Sequence, residues 1–337
     1  MKFVWAFFIF LLPLVSFAYS DDTTHPGLTD EIVDLFNLYY PTLALSDGEK
    51  ELMKNGSTDE DDEIRSMRHF YDPVYNRGIE IAGSKWQSSK DWAQDTLAQA
   101  GSTNLWTTGI MDRLSAGTVS GFFSAEGDHS WDRAIYEYVW GDKARAMHDL
   151  GHVLHLIEDA AVPDHTRNAP HPPLFHFGSP YEGWTGQFGP EEMDGLAKSL
   201  YDSSRKPVAK SDLQGYFDSM ATYSNNNFFS KDTISNNVYN SPKVIPTGNF
   251  IFHNYEPVAY LKKEKKLDDP AVPVVEIYEI RDPNDVILNG YWNRLSKQAV
   301  LHGAGVVRLF FEEAEKEKES KVLFIKNKSW FAKIYDV

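Results

Sequence analysis

The 337-residue chain contains no cysteine. That absence excludes disulfides, thiolate metal sites and a cysteine-borne lipid anchor, so stability must come from the core or from metals held by nitrogen and oxygen. Positive charge is also scarce. Lys and Arg number 33 against 49 Asp and Glu, a formal charge of −16. Tracking a nucleic-acid backbone usually requires a basic groove, so nucleic acid is disfavoured as a partner. Bound metal would weaken that exclusion, because each divalent ion places two positive charges at one spot and can hold a phosphate on an acidic protein.

What is present begins at the N-terminus. Met1-Lys2 and the apolar run Phe3–Phe17 read as a secretory signal over 1–20. The run is too short for a comfortable membrane span, and small Ala18 and Ser20 suit cleavage. The expected mature start is Tyr19 or Asp21, and the expected location is secreted or periplasmic. About 317 to 319 residues then remain, enough for one large domain or a domain with an insertion.

Helical periodicity dominates. Thr29 suits an N-cap, with Ile32, Leu35, Phe36 and Tyr39 at helical spacing behind it. The pattern returns near Lys85–Gln99, Trp131–Trp140, Lys143–Ala161, Tyr181–Tyr201, Leu213–Tyr223 and Tyr291–Glu317. Between Asn236 and Asp285 the β-branched and aromatic stretches N-F-I-F-H-N-Y and V-P-V-V-E-I-Y-E-I flank the charged K-K-E-K-K-L-D-D. A small β-hairpin or irregular insertion is expected there. The organisation expected is all-α: a multi-helix domain over 21–235 and 286–317, a β-containing insertion over 236–285, and a tail over 318–337 that folds back as a strand or surface element.

The richest chemistry lies in H-L-I-E-D-A-A-V-P-D-H-T-R-N, His155 to Asn168. His155 and Asp159 are four apart, so on a helix they share a face and can hold one cation. Pro163 breaks the helix, leaving His165 on the exit loop to turn towards a second cation. Imidazole and carboxylate groups so spaced suit zinc in a site open to water. His148 and His152 lie on the same helix. They read either as support for metal-bound imidazoles or as a polar face near solvent.

Upstream, a carboxylate-rich loop leads into H-F-Y-D-P, His69 to Pro73, after the spacing Gly56-x4-Asp61. Downstream stands Tyr181-Glu182-Gly183-Trp184, and Ala304-Gly305 precedes an aliphatic-aromatic run in the last helix. These segments together resemble, in order, the zinc-dependent phospholipase C and S1/P1 nuclease superfamily. The resemblance covers roughly Thr24–Trp184 and Tyr291–Phe311 and implies a phospholipase C/P1 nuclease-like helical fold with up to three Zn²⁺ ions. By matching positions, Asp61, His69, His155 and Asp159 would hold one ion. Asp159 would bridge to a second, held by His25 and the mature N-terminal amine. His165, Glu182 and another histidine would hold a third. The phospholipase pattern places that histidine where this chain has Gly178, so His171 and His176 are both candidates. The family's N-terminal tryptophan is replaced by Tyr19 or Asp21.

The activity implied is hydrolysis of a phosphodiester. Zinc ions about 3.5–4 Å apart polarise phosphoryl oxygens and lower the pKa of bound water towards about 7. Asp61 is the candidate for orienting or deprotonating that water. The substrate expected is a phospholipid or another phosphodiester, compatible with transient contact at a membrane surface. The H-F-Y-D-P segment favours the phospholipase branch. A single-strand nuclease, stacking bases on the same aromatics, and a non-catalytic zinc-binding exported protein stay open.

Overall fold

A computed structural model describes residues 22–61, 65–81, 83–100, 127–170, 178–234, 238–264 and 275–335, with side chains in the last segment described to residue 324. The expected signal segment, His171 and His176 lie outside these residues. Among the described residues the chain is predominantly helical, with one two-stranded and one four-stranded antiparallel sheet. The mainly helical character with small sheets agrees with the expected multi-helix body carrying a β-containing insertion. No described helix is long and apolar enough to cross a membrane.

Among the described residues run the helices α1 (Thr24–Tyr39), α2 (Asp47–Asp59), α3 (Ser89–Trp92), α4 (Trp131–Trp140), α5 (Lys143–Asp159), α6 (Pro163–Thr166), α7 (Pro180–Thr185), α8 (Pro190–Met193), α9 (Leu196–Asp202), α10 (Leu213–Asn227) and α11 (Val286–Tyr335). Local chemistry explains several boundaries. Ser46 caps α2 through a capping box with Glu49, and Asp142 starts α5 by accepting from the Ala144 amide. Thr29 does not cap α1. That helix begins five residues earlier, with Pro26 tolerated in its first turn, and the Thr29 hydroxyl donates to Glu158 instead. The periodicity over Tyr181–Tyr201 is divided among α7, α8 and α9, with prolines starting the first two.

The core gathers around α11. Its Leu295, Val306, Leu309 and Phe310 are buried together with Leu28, Ile32 and Phe36 of α1 and Leu150, Leu154 and Ile157 of α5. The helix continues as far as Tyr335, so the expected separate tail after Glu317 is instead its extension.

The crossing of α2 and α5 matters most for the site. A Cβ on Gly56 would stand 1.9 Å from the His148 carbonyl oxygen, and one on Gly151 would stand 2.1 Å from that of Met53. Only glycines let the two backbones approach so closely. The loop after α2, carrying Glu60 and Asp61, is thereby brought against the histidine face of α5.

The insertion is a four-stranded meander of β3 (Ile245–Thr247), β4 (Phe250–His253), β5 (Glu256–Glu264) and β6 (Val275–Glu279), after a small β1 (Glu80–Ile81) and β2 (Ser84–Lys85) pair. This corrects the hairpin expectation. The two apolar stretches do not pair with each other; each pairs with β5, which includes Lys262 and Lys263 from the charged segment. Asn254 and Tyr255, at φ 50° and 68°, form the two-residue turn between β4 and β5. Ile251, Val258 and Ala259 join the helical core, and Tyr291 of α11 donates its hydroxyl to the Val258 carbonyl at 2.7 Å.

Candidate metal centre

Asp159, at the end of α5, is the focus of the buried polar interior. Its Oδ2 lies 3.0 Å from His69 Nδ1 and 3.2 Å from His155 Nε2. Its Oδ1 lies 3.6 Å from His25 Nε2 and 3.7 Å from His165 Nδ1. One carboxylate therefore faces four imidazoles from four segments. Although these are ion-pair distances, neither Asp159 oxygen makes a hydrogen bond of acceptable geometry, and neither does His69 Nε2. Buried carboxylate oxygens normally do, and this departure is what a group suited to ion coordination would leave.

Asp61 approaches the same centre, with Oδ1 3.4 Å from His69 Nδ1 and 3.7 Å from His155 Nε2. On the far side, Glu182 of α7 lies 3.1 Å from His165 Nε2. Of the residues expected in the site, His25, Asp61, His69, His155, Asp159, His165 and Glu182 are brought together. His155 and Asp159 sit on one helix face as their spacing requires. His165 differs from expectation: it is not on a loop but on the single turn α6, with Pro163 at its first position.

The rings are anchored. His25 Nδ1 bonds Glu158 Oε2 at 2.6 Å and His155 Nδ1 bonds the Ser57 carbonyl at 2.6 Å, while His165 Nδ1, the nitrogen nearer Asp159, bonds the His69 carbonyl at 3.1 Å and leaves Nε2 towards Glu182. Such bonds fix the ring and its tautomer, and in His25 and His155 they turn the other nitrogen inwards. Glu158 was not singled out by the sequence, since it looks like a helix carboxylate beside a better-spaced one. Glu60 was missed because it stands in the acidic run after α2, where a carboxylate reads as solvated surface. Its carboxylate accepts from Arg65 at 2.8 Å, Trp92 at 3.1 Å and His152 at 2.6 Å, and stands 3.8 Å from His69.

The electrostatics are those of charge packed out of water. Burial raises the Glu158 pKa and, with neighbouring His155, lowers that of His25, so the pair is read as sharing one proton with a neutral ring. Burial disfavours the charged form of His155, but the carboxylates of Asp159 and Asp61 outweigh it and raise its pKa to about 10. Burial likewise opposes ionisation of Asp159. The surrounding imidazoles of His165, His155 and His69 overcome it and hold its pKa well below the usual carboxylate range. A metal could supply at this centre the positive charge that a protonated His155 otherwise provides. Among the described groups, His69, His155 and Asp159 form one buried set with ligand atoms within 4.8 Å, and His25, Asp61 and His155 another. These buried clusters could hold a metal ion, and nitrogen-oxygen donors suit a borderline divalent ion.

In comparisons with known proteins, no family model matches the chain, and no curated sequence does.

Proposed function

We propose that the chain is an exported zinc-dependent phosphodiesterase of the phospholipase C type. One observation carries this reading: the Asp159 carboxylate presents each of its oxygens to two imidazoles, the disposition expected of a ligand bridging two ions. Asp61, His69, His155 and Asp159 would hold the first ion and His25 with Asp159 the second. His165 and Glu182 would contribute to a third. The number of zinc ions, up to three, belongs to the proposal.

When bound, the ions would supply Lewis-acid stabilisation of phosphoryl and leaving oxygens and an acidified water. The chain's own part is positioning and proton handling. Asp61, 3.4 Å from His69 and 3.7 Å from His155, would orient the attacking water or take its proton. The Ser57 carbonyl and Glu158 hold His155 and His25 in their inward-facing orientation, and the His69 carbonyl orients His165. The H-F-Y-D-P likeness favours a phospholipid substrate over single-stranded nucleic acid.

The test measures zinc content together with hydrolysis of a chromogenic phosphodiester, then compares phospholipid vesicles with single-stranded DNA. Stoichiometric zinc and preferential release of a phosphorylated headgroup support the reading. Preferential cleavage of DNA moves the assignment to the nuclease branch. Bound zinc without hydrolysis identifies a binding protein instead.

A further inference from the structure

A second cluster of histidines lies beside the first and takes no part in it. His148 and His152 project from α5, and His129 precedes α4. Ring nitrogens of the three lie within 4.8 Å of one another. The His129 and His152 ring centroids are 4.0 Å apart, and those of His148 and His152 are 4.9 Å apart.

Each ring has a carboxylate behind it. His129 Nδ1 bonds Asp149 at 2.6 Å, His152 Nδ1 bonds Glu60 at 2.6 Å, and His148 Nε2 bonds Asp59 at 2.8 Å. One nitrogen of each imidazole is thus occupied and the other is left for a further ligand. In His152 that other nitrogen, Nε2, is buried and has no hydrogen-bond partner in the structure. A carboxylate behind each of three clustered imidazoles is the arrangement that orients histidines around a metal and raises their donor strength. His129 is itself held in place by its backbone amide, which donates to Gln99 at 2.8 Å.

We propose that His129, His148 and His152 form a separate site for one borderline divalent transition ion, zinc or a similar metal, with its fourth position open to water. Three imidazoles suit such an ion, whereas calcium and magnesium require oxygen ligands. Solvent access comes through His129 and His148, whose side chains are 14% and 25% exposed against 3% for His152. Zinc–nitrogen bonds of about 2.0–2.1 Å set ligand nitrogens about 3.3 Å apart in a tetrahedron. Binding therefore draws the rings together and opens the His129–His152 stack, with the two solvent-facing residues moving most. Glu60 ties this site to the Asp159 cluster, since it supports His152 and lies beside His69.

The experiment uses the full chain loaded with zinc and dialysed, with metal counted per chain. The parent is compared with a His129→Gln/His148→Gln variant and a His155→Ala/Asp159→Ala variant, the latter removing a residue common to both buried sets. The first variant is expected to lose one zinc. The second is expected to keep one, whose X-ray absorption shows imidazole nitrogens at about 2.0–2.1 Å. Equal zinc in the parent and the His129→Gln/His148→Gln chain overturns the proposal. Should that double variant fail to fold, His148→Gln alone is titrated against a competing chelator. A zinc affinity at least tenfold weaker supports the site, and an unchanged one overturns it. Because the His155→Ala/Asp159→Ala chain removes a ligand from each buried set around Asp159 and leaves this site whole, its zinc can persist even if the Asp159 cluster proves not to bind metal.

Discussion

The two histidine clusters share a helix and differ in where their carboxylates stand. Around Asp159 the carboxylate is in the middle and the imidazoles surround it. Around His152 the imidazoles are in the middle and Asp59, Glu60 and Asp149 stand outside. A central carboxylate can bridge ions and gather charge for chemistry at phosphorus. Peripheral carboxylates instead orient neutral ligands around a single ion. Depth differs in parallel: His25, His69, His155 and His165 are fully buried, whereas His129 and His148 keep one side in water. The lesson is that histidine spacing along α5 does not by itself decide the role; the position of the acid does.

Asp159→Asn should break the contrast most severely. An amide keeps the shape but cannot supply the bridging charge. Outer partners of metal ligands already cost about 10–100-fold when changed, so hydrolysis should fall by more than that, with bound zinc reduced. Full zinc and full rate in this variant would exclude Asp159 as a bridge.

Gly151→Ala tests the helix crossing on which both clusters depend. Its new Cβ would meet the Met53 carbonyl oxygen at 2.1 Å, and backbone cannot easily give way. Destabilisation by about 3 kcal/mol is expected in denaturant unfolding, with weaker metal binding at both clusters. A stable variant with both metal sites intact would show that the close approach is not needed.

His165→Ala and Glu182→Ala should each remove the same ion, because the two side chains meet at 3.1 Å. Metal counting on His171→Ala and His176→Ala then identifies their partner. Loss of different metals from His165→Ala and Glu182→Ala would separate the two residues.

The N-terminal amine is the next point of attack. A free α-amine has a pKa near 7.7–8.0 and yields its proton to a metal at little cost. On the proposal that the N-terminal segment is a cleaved signal, protein begun at Tyr19 or Asp21 is expected to bind one zinc more, and to hydrolyse faster, than protein carrying a few extra residues. Identical metal content would leave His25 without that partner.

The smallest effect concerns a histidine buried without a carboxylate. His302 bonds the Gln298 carbonyl at 2.8 Å and Ser219 at 3.1 Å, and burial pushes its pKa down to about 4. The unfolded chain, with a histidine pKa near 6.5, binds this proton while the folded chain does not. Stability from this group is therefore complete above about pH 6.5 and falls as the pH drops towards 4. The loss should be about 2 kcal/mol at pH 5, and His302→Gln should flatten that part of the stability profile. An unchanged slope would show that His302 accepts its proton in the fold.

Several features were legible because their causes are local. His155 and Asp159 share a face since four residues make about one helical turn, and Pro163 interrupts α5 because it cannot continue the hydrogen-bond ladder. Helical periodicity located α4, α5 and most of α11 for the same reason. The strand order was not legible: β-branched stretches mark strands but do not say which one lies between them. The likeness that brought Asp61, His69 and Glu182 together on paper concerned order along the chain, and their meeting depends on the crossing at Gly56 and Gly151.

By itself, then, the sequence determined a cysteine-free acidic chain, its main helices, and a metal-ligand spacing on α5, all set by composition or by one turn of backbone. Only tertiary structure decided that Glu158 and Glu60 hold His25 and His152 rather than face solvent, and that His129 joins His148 and His152. The physical reason is that a side chain's partners across a packed interface depend on how closely two backbones approach, and no local spacing encodes that distance.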